Sequence, residues 1–331
     1  MQVSVLGAGG WGTTLAILLN ENGHDVTLWE FNPDYAETMR KFRENFYYLP
    51  KVKIPAGINI TNNLSEAAEA GELLVISTPT QFIRSSLKSL KEFDFGNKII
   101  LNVSKGIEID SLLLVNEIVE DIFPKADPMR IAALSGPSHA EEVARNVPTA
   151  VVCASKDISI AEKVQKVFSN EYFRVYSSTD VAGVETGGAL KNVIAIAAGI
   201  ADGAGFGDNT KAAIMTRGIS EIMRLGLTRG AIKETFYGLS GMGDLIVTCA
   251  SKHSRNRFVG EQIGQGKKLE DILSEMKMVA EGVSTAKSSL QLAKENNVEV
   301  PIIEKVNEIL FKGVSPVEAT RDLMLRTLKA E

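Results

Sequence analysis

Residues 3–6, Val-Ser-Val-Leu, run directly into Gly7-Ala8-Gly9-Gly10-Trp11-Gly12, and residues 13–20 continue in a helical pattern. A short apolar strand, a glycine turn and a helix in that order open a mononucleotide-binding βαβ unit, and no other feature of the chain restricts its fold so tightly. Gly7 permits the tight turn, Gly9 lets the backbone approach a pyrophosphate, and Gly12 allows the helix to lie close on the sheet. The phosphates would meet the unpaired N–H groups at the positive end of the helix.

The next residues agree with that reading. Gly23-His24-Asp25 is a turn, and residues 26–29 form a second strand ending at Glu30, 23 residues after Gly7. A carboxylate there can accept hydrogen bonds from the adenosine ribose hydroxyls, and its charge would repel the extra phosphate of NADP. Phe31, Asn32 and Pro33 offer that phosphate no guanidinium. NAD is therefore the expected cofactor, with NADP the possible second choice.

Further apolar strands are predicted at 73–77, 98–103, 130–134, 149–153 and 172–176, spaced as in a parallel sheet covered on both faces. Thr78-Pro79, Ser104-Lys105-Gly106 and Ser135-Gly136-Pro137-Ser138 follow the carboxyl ends of three of them, where open α/β sheets form their ligand crevice. After residue 179 the pattern becomes helical. The expected fold class is thus α/β: a Rossmann-like dinucleotide-binding domain over 1–179, then an all-α substrate domain over 180–331. A chain of 331 residues is long enough for both.

Between Glu185 and Asp202 the only charged residue is Lys191, on a helix whose Leu190, Val193, Ile194, Ala197 and Ile200 repeat with helical period. Gly187, Gly188, Ala195 and Ala198 keep the lysine's own face small, so a flat ligand or another backbone could approach the amine. Burial lowers a lysine's pKa, and Lys105 would lower it further if both line the crevice. A neutral amine can take the proton of an alcohol, and its ammonium can return it. Asn192 could orient a ligand hydroxyl. Asp244, alone among the apolar and glycine neighbours of 237–248, is either a helix-capping carboxylate or the partner that holds Lys191. Beyond it, Ser254 reads as an N-cap with Arg255 beside it, a seat for a phosphate or carboxylate.

Other chemistries fit poorly. The 36 basic and 41 acidic side chains leave a net charge of -5 with no dense cationic block, so nucleic acid is an unexpected partner. Cys153 and Cys249 form no CxxC or disulfide framework, which suits a reducing cytoplasm. His24, His139 and His253 are too scattered for a zinc site, and no metal is expected. No basic leader or run of 18 uncharged apolar residues suggests targeting or membrane insertion.

Taken together, GAGGWG at 7–12, SKG at 104–106, SGPSHAEE at 135–142, GGALKNVIAIAAG at 187–199, GMGDLIVTC at 241–249, SRNR at 254–257 and VAEGV at 279–283 resemble the soluble bacterial-type NAD(P)-dependent glycerol-3-phosphate dehydrogenases over nearly the whole chain. The resemblance implies interconversion of sn-glycerol 3-phosphate and dihydroxyacetone phosphate, small phosphorylated substrates, in a cleft between the two units. It implies a homodimer and a product that feeds phospholipid synthesis. It assigns Lys191 as proton donor and acceptor, supported by Lys105 and Asp244. Around the substrate it places Lys105, Gly136, Ser138, Lys191, Asp244, Ser254, Arg255 and Asn256; Asn192 and Thr248 are expected beside them. Around the cofactor it adds Gly10, Trp11, Lys105, Ala140, Arg255, Val279 and Glu281 to Gly7, Gly9, Gly12, Glu30 and Phe31. Many members carry a basic residue where this chain has Phe31 and a small one where it has Glu30, which again favours NAD. A dehydrogenase of the 6-phosphogluconate or β-hydroxyacid type, and a noncatalytic dinucleotide sensor, are the rival readings; a substrate panel and NADH consumption separate them.

Overall fold

The computed structural model describes residues 1–328 and 330; the last position of the expected second unit, Glu331, and Lys329 lie outside the described residues. Ten strands occur among them: β1 (Gln2–Leu6), β2 (Asp25–Trp29), β3 (Glu44–Asn45), β4 (Leu49–Lys53), β5 (Asn59–Thr61), β6 (Leu73–Ile76), β7 (Ile99–Asn102), β8 (Ile131–Ser135), β9 (Thr149–Ser155) and β10 (Phe173–Ser178). Eight form one sheet in the order β10-β9-β8-β7-β6-β1-β2-β5, and β3 and β4 make a separate hairpin. The strand order reverses between β1 and β6, so the connections leaving their carboxyl ends diverge and open a crevice. The central strands β1, β2, β6, β7 and β8 are buried on both faces, which explains their Val-, Ile- and Leu-rich runs, whereas the edge strand β10 exposes one face.

All sheet neighbours run parallel except β8 and β9, which are antiparallel. This corrects the expectation of a parallel arrangement at that edge. A parallel return needs a crossover of a dozen or more residues, usually helical. Here the connection holds only the short helix Ala140–Val143, and the chain turns back from the end at which β8 finished. The β3–β4 hairpin and β5 were not expected either. Pro50, Lys51 and Lys53 hide β4 from any alternation test.

From Val181 onward every regular element is helical. The helix Val181–Gly203 forms the axis of this unit and is buried along nearly its whole length. It is the one described helix long and apolar enough to cross a membrane, and that apolar stretch lies wholly inside the protein. The helix Arg255–Gly264 packs on it at backbone distance. A Cβ at Gly199 would lie 2.0 Å from the carbonyl of Arg257, and one at Gly260 would lie 2.1 Å from that of Ile196. That close approach brings the start of the second helix beside Lys191 and Asn192.

Candidate active site

A cleft of about 530 Å³ opens at the β1–β6 divergence and is lined by both units. Its sheet side begins at Gly7, whose φ of 121° is strained for any side chain and whose Cβ would meet the Ser77 carbonyl at 2.9 Å. Gly12 lies beneath this turn rather than in the cleft and has no room for a side chain, since a Cβ would lie 1.9 Å from the carbonyl of Gly7. Gly9 precedes the helix Gly10–Glu21 without a side-chain cap, and a Cβ there would project into open space. The first-turn N–H groups and this open cradle suit a pyrophosphate.

Glu30 lines the same cleft and is 3% exposed. Burial pushes its carboxyl above the ordinary range, and the Asn32 N–H, bonded to Oε1 at 2.9 Å, works against that rise. Phe31 beside it is exposed and offers a ring face to a base. These residues fit the adenosine end of a dinucleotide.

At the other end lies a buried charge cluster. Asp244 accepts Lys191 Nζ on Oδ1 at 2.9 Å and Lys105 Nζ on Oδ2 at 2.7 Å. Lys191 also donates to Thr248 Oγ1 at 2.7 Å, and the Thr248 hydroxyl donates to the Asp244 carbonyl at 2.6 Å. Lys105 reaches the Gly136 carbonyl at 2.9 Å and Ser138 Oγ at 3.4 Å. Burial drives Lys191 down to about 8; Asp244 opposes this and Lys105 adds to it. For Asp244 burial alone would raise the pKa, but the two ammoniums outweigh it and hold the carboxylate below its usual range.

Local sequence explains the placement. Asp244 opens the helix Asp244–Ala250 directly after a π-helical turn, Leu239–Gly243, whose Ser240 backbone rests against Gly187. Single π-helical turns of this kind are frequent at functional sites. Asp244 therefore serves the two lysines rather than acting as a cap. Ser254 is an N-cap, accepting the Arg257 N–H at 3.1 Å. Arg255 lines the cleft and donates to the Val279 carbonyl at 2.8 Å, whereas Arg257 is committed to Asp202 and Glu261.

Two asparagines line the cleft and also tie its walls together. Asn192 donates to the Lys105 carbonyl at 3.0 Å and accepts from Asn256 at 2.8 Å; Asn256 in turn accepts the Gly282 N–H at 2.9 Å. Glu281 accepts the N–H and hydroxyl of Thr80, both at 2.7 Å, and so ties the helical unit to the start of the helix Thr80–Leu87 that follows β6. Gly10, Trp11, Phe31, Ser138, Ala140, Thr248 and Val279 line the cleft as well, while Gly136 contributes through its carbonyl to Lys105.

Sequence reasoning missed several lining residues. His139 and His253, considered there only as metal ligands, meet across the cleft wall with ring centroids 5.8 Å apart. Burial, with Lys191 nearby, keeps His139 below its ordinary pKa. Its position just beyond the end of β8 was the available signal. Lys277 also lines the cleft, its ammonium 5.1 Å from the centre of the Tyr47 ring on the β3–β4 hairpin; no local pattern marks that pair.

Residues 2–161 match the family model described as the NAD-dependent glycerol-3-phosphate dehydrogenase N-terminus, and residues 180–321 match that for the C-terminus. A glycerol-3-phosphate dehydrogenase [NAD(P)+] of Fusobacterium nucleatum subsp. nucleatum is 50% identical over 331 residues, covering 100% of this chain and 98% of that protein. One from Citrifermentans bemidjiense is 50% identical over 330 residues, with coverage of 100% and 98%. The crystal structure of glycerol-3-phosphate dehydrogenase from Coxiella burnetii superposes with a TM-score of 0.93 at 34% identity, covering 98% of each chain. D-Mandelate dehydrogenase, at 11% identity and a TM-score of 0.60 over 95% of this chain and 98% of that one, shares the fold alone.

Proposed function

The chain belongs to the NAD-dependent glycerol-3-phosphate dehydrogenase family, and from that premise we propose that Lys191 carries the proton in its reaction. The activity is that of a glycerol-3-phosphate dehydrogenase [NAD(P)+]. The observation that carries the proton assignment is a lysine 6% exposed at the cleft wall, paired with Asp244 at 2.9 Å and brought down to about 8. Near neutral pH such a group is both a competent acid and a competent base.

When bound, the dinucleotide supplies or accepts the hydride. The glycine turn, the helix start at Gly10 and Glu30 hold its phosphates and ribose, and Glu30 favours NAD over NADP. In reduction, the Lys191 ammonium gives its proton to the oxygen on C2 of dihydroxyacetone phosphate; in oxidation, the neutral amine removes it. Asp244 and Thr248 fix the amine's direction, and Lys105 offsets negative charge gathering on the same oxygen. Arg255 and the first turn after Ser254 grip the substrate phosphate, which orients C2 and excludes unphosphorylated dihydroxyacetone. Residues 1–179 thus serve mainly the cofactor, with Lys105 reaching across to the substrate, and 180–331 mainly the substrate.

The same reading has the enzyme working as a cytoplasmic homodimer that supplies glycerol 3-phosphate for phospholipid synthesis. Free, buried Cys153 and Cys249 suit the compartment, and Leu227, Ile232, Tyr237 and Ile246 supply exposed apolar surface for a partner subunit. Oxidation of NADH and of NADPH, each measured with dihydroxyacetone phosphate, tests the cofactor assignment: faster use of NADH supports it, and a preference for NADPH overturns the role given to Glu30; loss of turnover in Lys191→Ala tests the proton assignment.

A further inference from the structure

The helix that carries Lys191 holds a second buried ionisable group that the mechanism above leaves unused. Glu185 lies six residues earlier, about 240° around the axis at 3.6 residues per turn, and so faces the sheet unit. Its Oε1 accepts two hydrogen bonds from that unit, one from Asn102 Nδ2 at 2.9 Å and one from the Asn116 N–H at 2.9 Å. Asn102 ends β7, and its own Oδ1 accepts the Ser104 N–H at 2.7 Å. The Ser104 hydroxyl donates to the Thr78 carbonyl at 2.6 Å. Lys105 comes next in the chain and returns to the same helix through Asp244, which also holds Lys191.

We propose that Glu185 is a positioning residue for Lys105: through Asn102 it fixes the 104–106 turn against the helix bearing Lys191 and thereby sets how the two ammoniums share Asp244. The inference rests on the roles given above to Lys105 and Lys191. Bonds from two elements onto one carboxyl oxygen make Glu185 a fixed reference between the units, and a turn with both Asn102 Oδ1 and Thr78 O as anchors has little freedom to drift. Burial pushes the Glu185 carboxyl up to about 8, beyond what the two N–H donors offset, with Glu117 and Glu120 adding to the rise. The group is therefore a neutral hydrogen-bonding fixture near pH 7 rather than a counter-ion, and glutamine can replace it.

A structural role alone would lower stability without changing how Lys191 titrates. A positioning role changes the titration, because Lys105 is one of the groups that depress Lys191. The others facing that amine are Asp244 and Cys249, which raise its pKa, and His139, coupled to it across the cleft. The test is kcat/KM for dihydroxyacetone phosphate with NADH from about pH 6 to about pH 10, in the full-length wild type, Glu185→Gln, Glu185→Ala, Asn102→Ala, Lys105→Met and the Glu185→Ala/Lys105→Met double variant. Glu185→Gln should stay within about twofold of wild type, while Glu185→Ala and Asn102→Ala lose roughly 10- to 100-fold, as misplacement of a catalytic group does. Both alanine variants should move the Lys191 titration upward, as Lys105→Met does, and Glu185→Ala should add little to Lys105→Met. Asn102→Ala cuts the same link should Glu185→Ala fail to fold. A wild-type pH profile in the alanine variants, full additivity with Lys105→Met, or a glutamine variant as impaired as alanine overturns the proposal. An unimpaired Lys105→Met would instead remove the site reading beneath it.

Discussion

Lys191 and Asp244 form a buried ion pair, Nζ to Oδ1 at 2.9 Å, with side chains only 7% and 2% exposed. The carboxylate's other oxygen holds Lys105, so one anion serves two cations. Removing one member of such a cluster leaves buried charge uncompensated, which is far costlier than losing a surface pair.

Asp244→Asn should accordingly destabilise the fold by about 3–5 kcal/mol. Without the carboxylate, the Lys191 pKa should fall further, since Asp244 is what opposes its depression. Denaturant unfolding checks the first effect and the pH–rate profile the second. Wild-type stability would show that the cluster is not the paired unit described here.

The two reaction directions should respond oppositely to pH. Reduction needs the Lys191 ammonium, so its kcat/KM should fall as pH rises through about 8; oxidation needs the free amine and should rise over the same interval. Substitution of Lys191 should remove both limbs. Identical pH dependence in the two directions would contradict a single residue acting as acid and base.

Arg255 contributes a guanidinium beside the N-terminus capped by Ser254. Arg255→Ala should reduce kcat/KM for dihydroxyacetone phosphate by roughly 10- to 100-fold, the worth of a hydrogen bond to a charged group. The loss should be expressed mainly in KM and be missing with unphosphorylated dihydroxyacetone. Equal losses on both substrates would place Arg255 elsewhere in the reaction.

Glu185 makes stability pH-dependent in a defined direction. Its pKa is about 8 in the fold against an ordinary 4.5, so between those values the folded protein keeps a proton that the unfolded chain has released. Stability therefore declines with rising pH across that window. Glu185→Gln lacks this titration, so its stability relative to wild type should increase steadily from about pH 5 to about pH 8. Glu221, raised to about 7, has the same sign but is common to both proteins. Parallel stability curves would contradict the buried neutral carboxyl.

The sequence made the site's chemistry legible where a residue was out of keeping with its surroundings. Lys191 stood out as a charge in an otherwise uncharged apolar stretch, and Gly7 to Gly12 stood out through strand and helix on either side. Asp244 could be narrowed to two roles, and only the spatial meeting of 191, 105 and 244 decides between them. The His139–His253 and Lys277–Tyr47 contacts depend on segments far apart in the chain, so no local period reveals them. The reversed β9 was hidden for a related reason, because strand direction depends on the path of the connection and not on the strand's own residues. Asn192 illustrates a further limit: its place next to Lys191 suggested a ligand contact, and it does line the cleft, but nothing in its neighbourhood of the chain indicated that its amide also joins Lys105 to Asn256.

The most direct measurement is turnover of dihydroxyacetone phosphate by Lys191→Ala at saturating NADH, with NADH affinity determined separately. Loss of general acid catalysis should lower kcat by roughly 10²- to 10⁴-fold, with cofactor affinity close to wild type. A turnover number near that of the unaltered enzyme would contradict the assignment of Lys191 as the proton carrier.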